Sequence, residues 1–284
     1  MINREIKILI VGLGLMGGSY AKALTQKGFF VSAITKEQSS IDYALNEKII
    51  SKGFSYVDES TVQDADLIIF ALYPQTFKNW VIEYQHLFKS GAVITDVTGV
   101  KKSVVYDIQS ILRDDVEFIA AHPMAGREVY GVKNCNEKMF YGANYIVVPT
   151  EKNTPAAIKL CEDLGILLGF GHISRLTPEK HDEMIGFVSQ LTHCIAISLM
   201  TCCENEHLVD YTGDSFRDLT RIAKINEDMW SELFLLNKDE LISQMDIFIK
   251  EFTNLKELIS DNNTDKIKEK MRLSTKRRAL FDKK

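Results

Sequence analysis

Gly12-Leu13-Gly14-Leu15-Met16-Gly17 decides the fold of this chain. The run follows an apolar segment, residues 6–11, and opens a helical pattern over residues 15–26. A Gly-x-Gly-x-x-Gly loop between a strand and a helix is how a βαβ unit receives a dinucleotide. Gly12 allows the tight turn, Gly14 lets backbone approach a pyrophosphate, and Gly17 lets the helix pack closely on the strand. The free N–H groups of the first helical turn, at Leu15, Met16 and Gly17, then hold the phosphates together with the helix dipole.

Outward from this loop, short apolar runs alternate with helical patterns, as stacked βαβ units do. Residues 6–11, 30–35, 67–72, 92–96, 118–121 and 144–148 read as strands. Residues 15–26, 38–47, 75–88 and 155–168 read as helices. The strand runs are continuously apolar, which a sheet covered by helices on both faces requires. The expected fold class is α/β, with a doubly wound parallel sheet of Rossmann type over residues 1–173.

The texture changes after Ile173, where no further strand-like run is expected. Thr177-Pro178-Glu179-Lys180 is a helix start, with Thr as N-cap, Pro in the first position and an acid in the first turn. The helix runs to about residue 203 with little polar relief, so it is expected to be buried between subunits or domains. Further helices are expected at 216–225, 227–237, 238–259 and 265–281. Residues 174–284 therefore form an all-helical second domain for substrate and dimerisation.

A net charge of −5 supplies no basic field for nucleic acid or anionic lipid. The locally basic residues 266–284 fit a solvated helix face. Cys135, Cys161, Cys194, Cys202 and Cys203 have no metal-ligand spacing. An odd count with an adjacent pair reads as reduced thiols in a cytosol. Residues 6–11 are too short for a signal core, so the expected protein is cytoplasmic, binding neither metal, membrane nor nucleic acid.

The end of the second strand reads Ser32-Ala33-Ile34-Thr35-Lys36. An acid there binds the two ribose hydroxyls of NAD. Thr35 and Lys36 stand in its place, and a hydroxyl with an ammonium suits the 2′-phosphate of NADP better. Glu37 is an alternative ribose ligand, which keeps NAD open.

Four stretches carry the chemistry: Thr95 to Lys101, His122-Pro123-Met124-Ala125-Gly126-Arg127-Glu128-Val129, His181 to His193, and Phe216 to Trp230. A histidine at a strand end, followed by a proline turn, presents an imidazole to a bound cofactor. Together with the glycine loop, these stretches resemble the prephenate/arogenate dehydrogenase family of tyrosine biosynthesis. The most specific pieces are the His122–Glu128 run and Asp218-Leu219-Thr220-Arg221-Ile222-Ala223.

The resemblance implies an oxidative decarboxylation. Hydride leaves ring C4 of prephenate for the nicotinamide, the C4 hydroxyl loses its proton, and CO2 departs from C1 as the ring becomes aromatic. His122 matches the catalytic histidine, Arg221 the arginine that pairs with a substrate carboxylate, and His193 a histidine that helps seat the substrate. Ser189 lies one turn before His193 on roughly the same face. Asp218 is placed to orient Arg221, and Glu128 matches an acid at the entrance. Trp230 stands at a family position, where helix packing explains it equally well.

Many family members carry a serine where this chain has Gly99, with the nearest hydroxyl displaced to Thr98. Thr98 or a water is expected to take that role. Lys101 reads as a solvated helix-start residue, and His181-Asp182 as a boundary feature. The family also implies a homodimer through the helical domain, and the chain reads as a monofunctional form. Arogenate is the rival substrate. A β-hydroxy acid dehydrogenase lacks its helical-domain lysine here, and a non-catalytic dinucleotide sensor leaves His122 and Arg221 unexplained.

Overall fold

The computed structural model describes residues 2–127 and 129–282. The chain divides into two compact units, residues 1–237 and 238–284.

The first unit opens with β1 (Ile8–Val11), α1 (Leu15–Gln26), β2 (Val31–Ile34), α2 (Gln38–Asn46), β3 (Lys52–Phe54), α3 (Glu59–Asp64) and β4 (Leu67–Phe70). It continues with α4 (Pro74–Tyr84), β5 (Val93–Asp96), α5 (Lys102–Ile111) and β6 (Glu117–Phe118). The six strands form one parallel sheet in the order β3-β2-β1-β4-β5-β6. This is the doubly wound Rossmann order, with its reversal point between β1 and β4. Successive residues of β1 feed opposite cores: Ile8 and Ile10 pack on one face of the sheet, Leu9 and Val11 on the other. Burial on both faces is why the strands read as unbroken apolar runs. β3 escaped the sequence reading because Lys-Gly-Phe is short and only partly apolar, as an edge strand with an exposed start can be.

The run expected as one strand at 118–121 is split at Ile119. β6 ends the parallel sheet, and β7 (Ala120–Met124) belongs to a second sheet with β8 (Asn144–Val148) and β9 (His172–Arg175), in the order β7-β8-β9. β7 is antiparallel to β8, with His122 opposite Ile146 and Pro123 opposite Tyr145. His122 therefore sits inside a strand and not at its end. Pro123 is tolerated because β7 is an edge of its sheet. β9 crosses the expected domain boundary, and its His-Ile-Ser-Arg sequence has no apolar run to announce it. α6 (Pro155–Leu168) connects β8 to β9.

Helices follow from Thr177, whose hydroxyl caps the Lys180 N–H at 3.2 Å. α7 (Pro178–Ile185) passes through a π-helical turn, Gly186–Gln190, into α8 (Leu191–Thr201). By length and composition this continuous rod is apolar enough to cross a membrane. Within one chain only 28% of its most apolar window is buried, and Phe187 and Val188 are exposed. The burial expected for this helix is thus not supplied by the chain itself. α9 (Leu208–Tyr211), α10 (Asp214–Thr220), a 3-10 turn at Arg221–Ala223 and α11 (Glu227–Leu236) complete the unit.

The second unit is a pair of packed helices, α12 (Lys238–Ser260) and α13 (Thr264–Arg278). Asn263 caps α13 through the Lys266 N–H at 3.2 Å. A Lys270–Glu251 ion pair ties the two helices together.

Candidate active site

The dinucleotide loop is built as its glycines require. Gly12 has φ +95°, and a Cβ there would lie 2.4 Å from the Ala71 carbonyl oxygen. A Cβ on Gly17 would fall 1.9 Å from the Gly12 carbonyl oxygen. These two glycines are demanded by packing. Gly14, by contrast, faces open space. It is the N-cap of α1 and has no capping side chain, so the first-turn N–H groups of Leu15, Met16 and Gly17 are left to a ligand. Thr35 and Lys36 follow β2 at the same end of the sheet. Lys36 is exposed, and Glu37 engages the Ser40 hydroxyl at 3.0 Å. A free cradle, a helix N-terminus and a nearby cation fit a dinucleotide.

Two strands from β1, the end of β5 holds a buried polar cluster. Asp96 Oδ2 accepts from Lys101 Nζ at 2.5 Å and from the Thr98 N–H at 3.0 Å, while Oδ1 accepts from the Ala121 N–H at 3.2 Å. Lys101 is fully buried, so the solvated role expected for it is wrong. Burial lowers its pKa, opposed by the adjacent Asp96 carboxylate. The Thr98 hydroxyl bonds Asp96 and the Val100 carbonyl, and accepts from Lys101 Nζ at 3.1 Å. It makes no hydrogen bond to His122 among the described residues. Its bonding capacity is taken by this cluster, so it does not stand in at the imidazole as expected. A Cβ at Gly99 would lie 4.0 Å from His122 Cε1 and 3.4 Å from Leu233. Position 99, which adjoins the imidazole, therefore carries no side chain.

The Asp96–Lys101 pair joins β5, the following loop, the start of α5 and the strand of His122. Removing one member strands a buried charge, which costs about 3–5 kcal/mol. Lys101→Met is expected to lower unfolding free energy by about that amount in urea. An unchanged midpoint and slope would contradict the assignment.

His122 projects beside this cluster. Its Nδ1 lies 2.9 Å from His181 Nε2, and His181 Nδ1 lies 2.7 Å from Asp182 Oδ1. Asp182 in turn accepts the backbone N–H groups of Lys101 and Lys102, at 2.8 and 2.9 Å. Both histidines have lowered pKa values. Desolvation is the main cause for each, and the proximity of His181 and Lys101 lowers that of His122 further. Both are thus neutral at pH 7, and His122 is available as a base or acceptor.

This chain of contacts extends into the helices. Asn237 donates to the Asp182 carbonyl at 3.0 Å and to Gln190 Oε1 at 2.7 Å, and Gln190 donates to the Leu233 carbonyl at 2.9 Å. Gln190 closes the π-helical turn. Sequence reasoning missed Lys101, Gln190 and Asn237, and took His181-Asp182 for a boundary feature. The available signal was a buried amide, Gln190, in an otherwise apolar helix.

His193 stacks on Trp230, with ring centroids 3.7 Å apart. Its Nδ1 lies 2.9 Å from the Ser189 carbonyl, so Ser189 contributes its backbone to this pair. Trp230 thus packs on the His193 ring. Arg221 is exposed on the 3-10 turn, which packs against α8, the helix of His193. Asp218 is exposed on α10, and no ion pair joins it to Arg221 among the described residues. The structure thus brings His122 to His181, and His193 to Trp230, and sets the Arg221 turn against α8. Glu128 lies outside the described residues.

Comparison with known proteins agrees along the chain. The family described as "Prephenate dehydrogenase, nucleotide-binding domain" matches residues 20–169, and "Prephenate dehydrogenase, dimerization domain" matches residues 177–273. Prephenate dehydrogenase of Bacillus subtilis is 28% identical over 276 residues, covering 92% of this chain and 72% of that protein. Cyclohexadienyl dehydrogenase of Zymomonas mobilis is 28% identical over 282 residues, covering 95% and 94%. The crystal structure of Aquifex aeolicus prephenate dehydrogenase with hydroxyphenyl propionate and NAD+ superposes with a TM-score of 0.89 at 30% identity, covering 98% of each chain.

Proposed function

This chain belongs to the prephenate dehydrogenase family, and we infer from that membership that it converts prephenate to 4-hydroxyphenylpyruvate and CO2. The observation that carries the reading is a half-buried imidazole, His122, bonded to His181 and set beside the end of β5, two strands from the strand that leads into the dinucleotide cradle. The bound dinucleotide supplies the hydride acceptor. Gly12, Gly14 and the N–H groups of Leu15, Met16 and Gly17 hold its pyrophosphate. Thr35 and Lys36 hold a 2′-phosphate, which makes NADP the preferred cofactor over NAD.

His122 takes the proton of the C4 hydroxyl. Loss of that proton pushes electrons toward the carbon as hydride leaves, and C1 releases CO2 to complete the aromatic ring. Arg221 grips a substrate carboxylate with its planar fork. His193, held by the Ser189 carbonyl and Trp230, orients the substrate. Asp218 and Glu128 shape the electrostatics around Arg221. Thr98 serves from behind, by fixing Asp96 and Lys101.

The dinucleotide domain runs through β9, past the boundary expected at 173, and the helices from Thr177 on serve substrate binding and dimerisation. The exposed apolar side chains of the helices, including Phe187, Val188, Leu219, Ile247 and Phe252, pack in a homodimer. A monomer in sedimentation at micromolar concentration would contradict this. The reading also places the enzyme in the cytoplasm, with no nucleic-acid or membrane partner.

The test is a two-by-two assay of prephenate and arogenate against NADP+ and NAD+. Prephenate with NADP+ should give the highest kcat/KM, and Lys36→Ala should narrow the difference between cofactors. Preference for arogenate would transfer the substrate assignment. Equal efficiency with both cofactors would remove the role of Thr35 and Lys36.

A further inference from the structure

Asp182 offers only acceptors to His181. Each of its carboxylate oxygens receives a backbone N–H, from Lys101 and Lys102 at the start of α5. His181 Nδ1, 2.7 Å away, must therefore be the donor. A neutral imidazole carries one N–H, so His181 Nε2 is an acceptor. His122 Nδ1, 2.9 Å from that atom, must then carry the proton, which leaves Nε2 of His122 as its lone-pair atom. The order of protons along three side chains is thus set by two peptide N–H groups. The chain spans three elements, β7, α7 and α5. Asn237 bonds the Asp182 carbonyl and holds the far end in place.

We propose that His181 and Asp182 are positioning residues, which fix His122 in the Nδ1–H tautomer and so assign proton acceptance to Nε2. This deepens the functional reading and rests on it only for its kinetic consequence. When Nε2 of His122 takes the hydroxyl proton, the new cation keeps its Nδ1–H bond to His181 Nε2. No second proton need move, and atoms and charge balance between the substrate oxygen and one nitrogen. The charged groups facing this pair are Asp182 and Asp96, which favour the cation, and Lys101, which opposes it. Neither positioning residue needs to touch substrate. Without His181, the imidazole loses its partner at Nδ1 and is released to the other tautomer, with a hydrogen on the nitrogen that must act as base.

The direct readout is the ring-nitrogen NMR signature of His122 in the substrate-free protein, identified by its loss in His122→Asn. The wild type should show His122 protonated at Nδ1, with Nε2 unprotonated. His181→Phe should shift it to the Nε2–H form and lower kcat by about 10²-fold, within the range of a general base, with substrate KM nearly unchanged. His181→Gln can accept from His122 and donate to Asp182, and should restore both the tautomer and most of kcat. An Nε2–H tautomer in the wild type overturns the proposal, whether or not any variant folds. So does a His181→Phe protein that keeps the Nδ1–H form and full turnover. If prephenate proves not to be the substrate, the tautomer result still stands, so failure of the functional reading is told apart from failure of this one.

Discussion

His122→Asn is expected to lower kcat for prephenate by about 10²–10⁴-fold, the range that general-base catalysis contributes. Asparagine retains a polar side chain of similar reach and no longer takes up a proton at neutral pH. Substrate KM should change little, because carboxylate binding is assigned to Arg221. The pH profile carries the same claim. Burial first, and then the neighbouring His181 and Lys101, hold the His122 pKa well below the ordinary histidine value. Protonated His122 accepts no proton, so the acid limb of wild-type kcat/KM should lie below about pH 6.5, the unperturbed value. Stability follows with a definite sign. Both His122 and His181 resist protonation when folded, while the unfolded chain takes up protons near pH 6.5. Their contribution is complete above about that pH and declines as pH falls toward the folded values. His122→Asn should therefore flatten the acid side of the melting-temperature profile. Near-normal turnover in this variant would remove His122 as the base and leave the family assignment standing.

Arg221→Ala is expected to raise the KM for prephenate by about 10²–10³-fold, with a smaller fall in kcat. Truncating one partner of a hydrogen-bonded charge pair costs about 2–5 kcal/mol, and each 1.4 kcal/mol is tenfold. Arg221→Lys keeps the charge and loses the planar fork, so it should recover only part of the binding. The effect should be specific to substrate: dinucleotide affinity, read by fluorescence titration, should stay within about twofold, since the cradle lies on β1 and α1. An unchanged substrate KM would take the carboxylate role from Arg221.

The fold was legible where burial imposed a simple pattern. The parallel strands β1, β2, β4 and β5 are covered by helices on both faces, and their continuous apolar runs announce them. α1 and α6 were placed to the residue by their periodicity and flanking signals. β3 and β9 were not legible, because neither buries a continuous apolar run. The change of sheet at Ile119 was hidden too, since a run shared by two sheets looks like one strand.

The site divides along the same line. His122 and the glycine loop stand in sequence motifs, each with a local reason for its residue types. Lys101 is different: beside a helix start it reads as solvated, and only the fold places Asp96 and Thr98 around it. His181 lies 59 positions from His122, and its contact exists only because α7 returns to β7 and α5. The π-helical turn that ends at Gln190 has no local signature. Gly99 was visible as a departure, and the structure sharpened its meaning. The hydroxyl of Thr98 is engaged by Asp96, Val100 and Lys101, and it is His181 that meets the ring.

The central claim is that one site couples hydride loss at C4 to loss of the C1 carboxylate. The most direct measurement follows prephenate labelled in its ring carboxylate, with reduced dinucleotide and labelled CO2 recorded in the same reaction. The account predicts equal molar yields of the two, and loss of both together in His122→Asn. Reduced dinucleotide without labelled CO2, or neither product from the wild type, would contradict it.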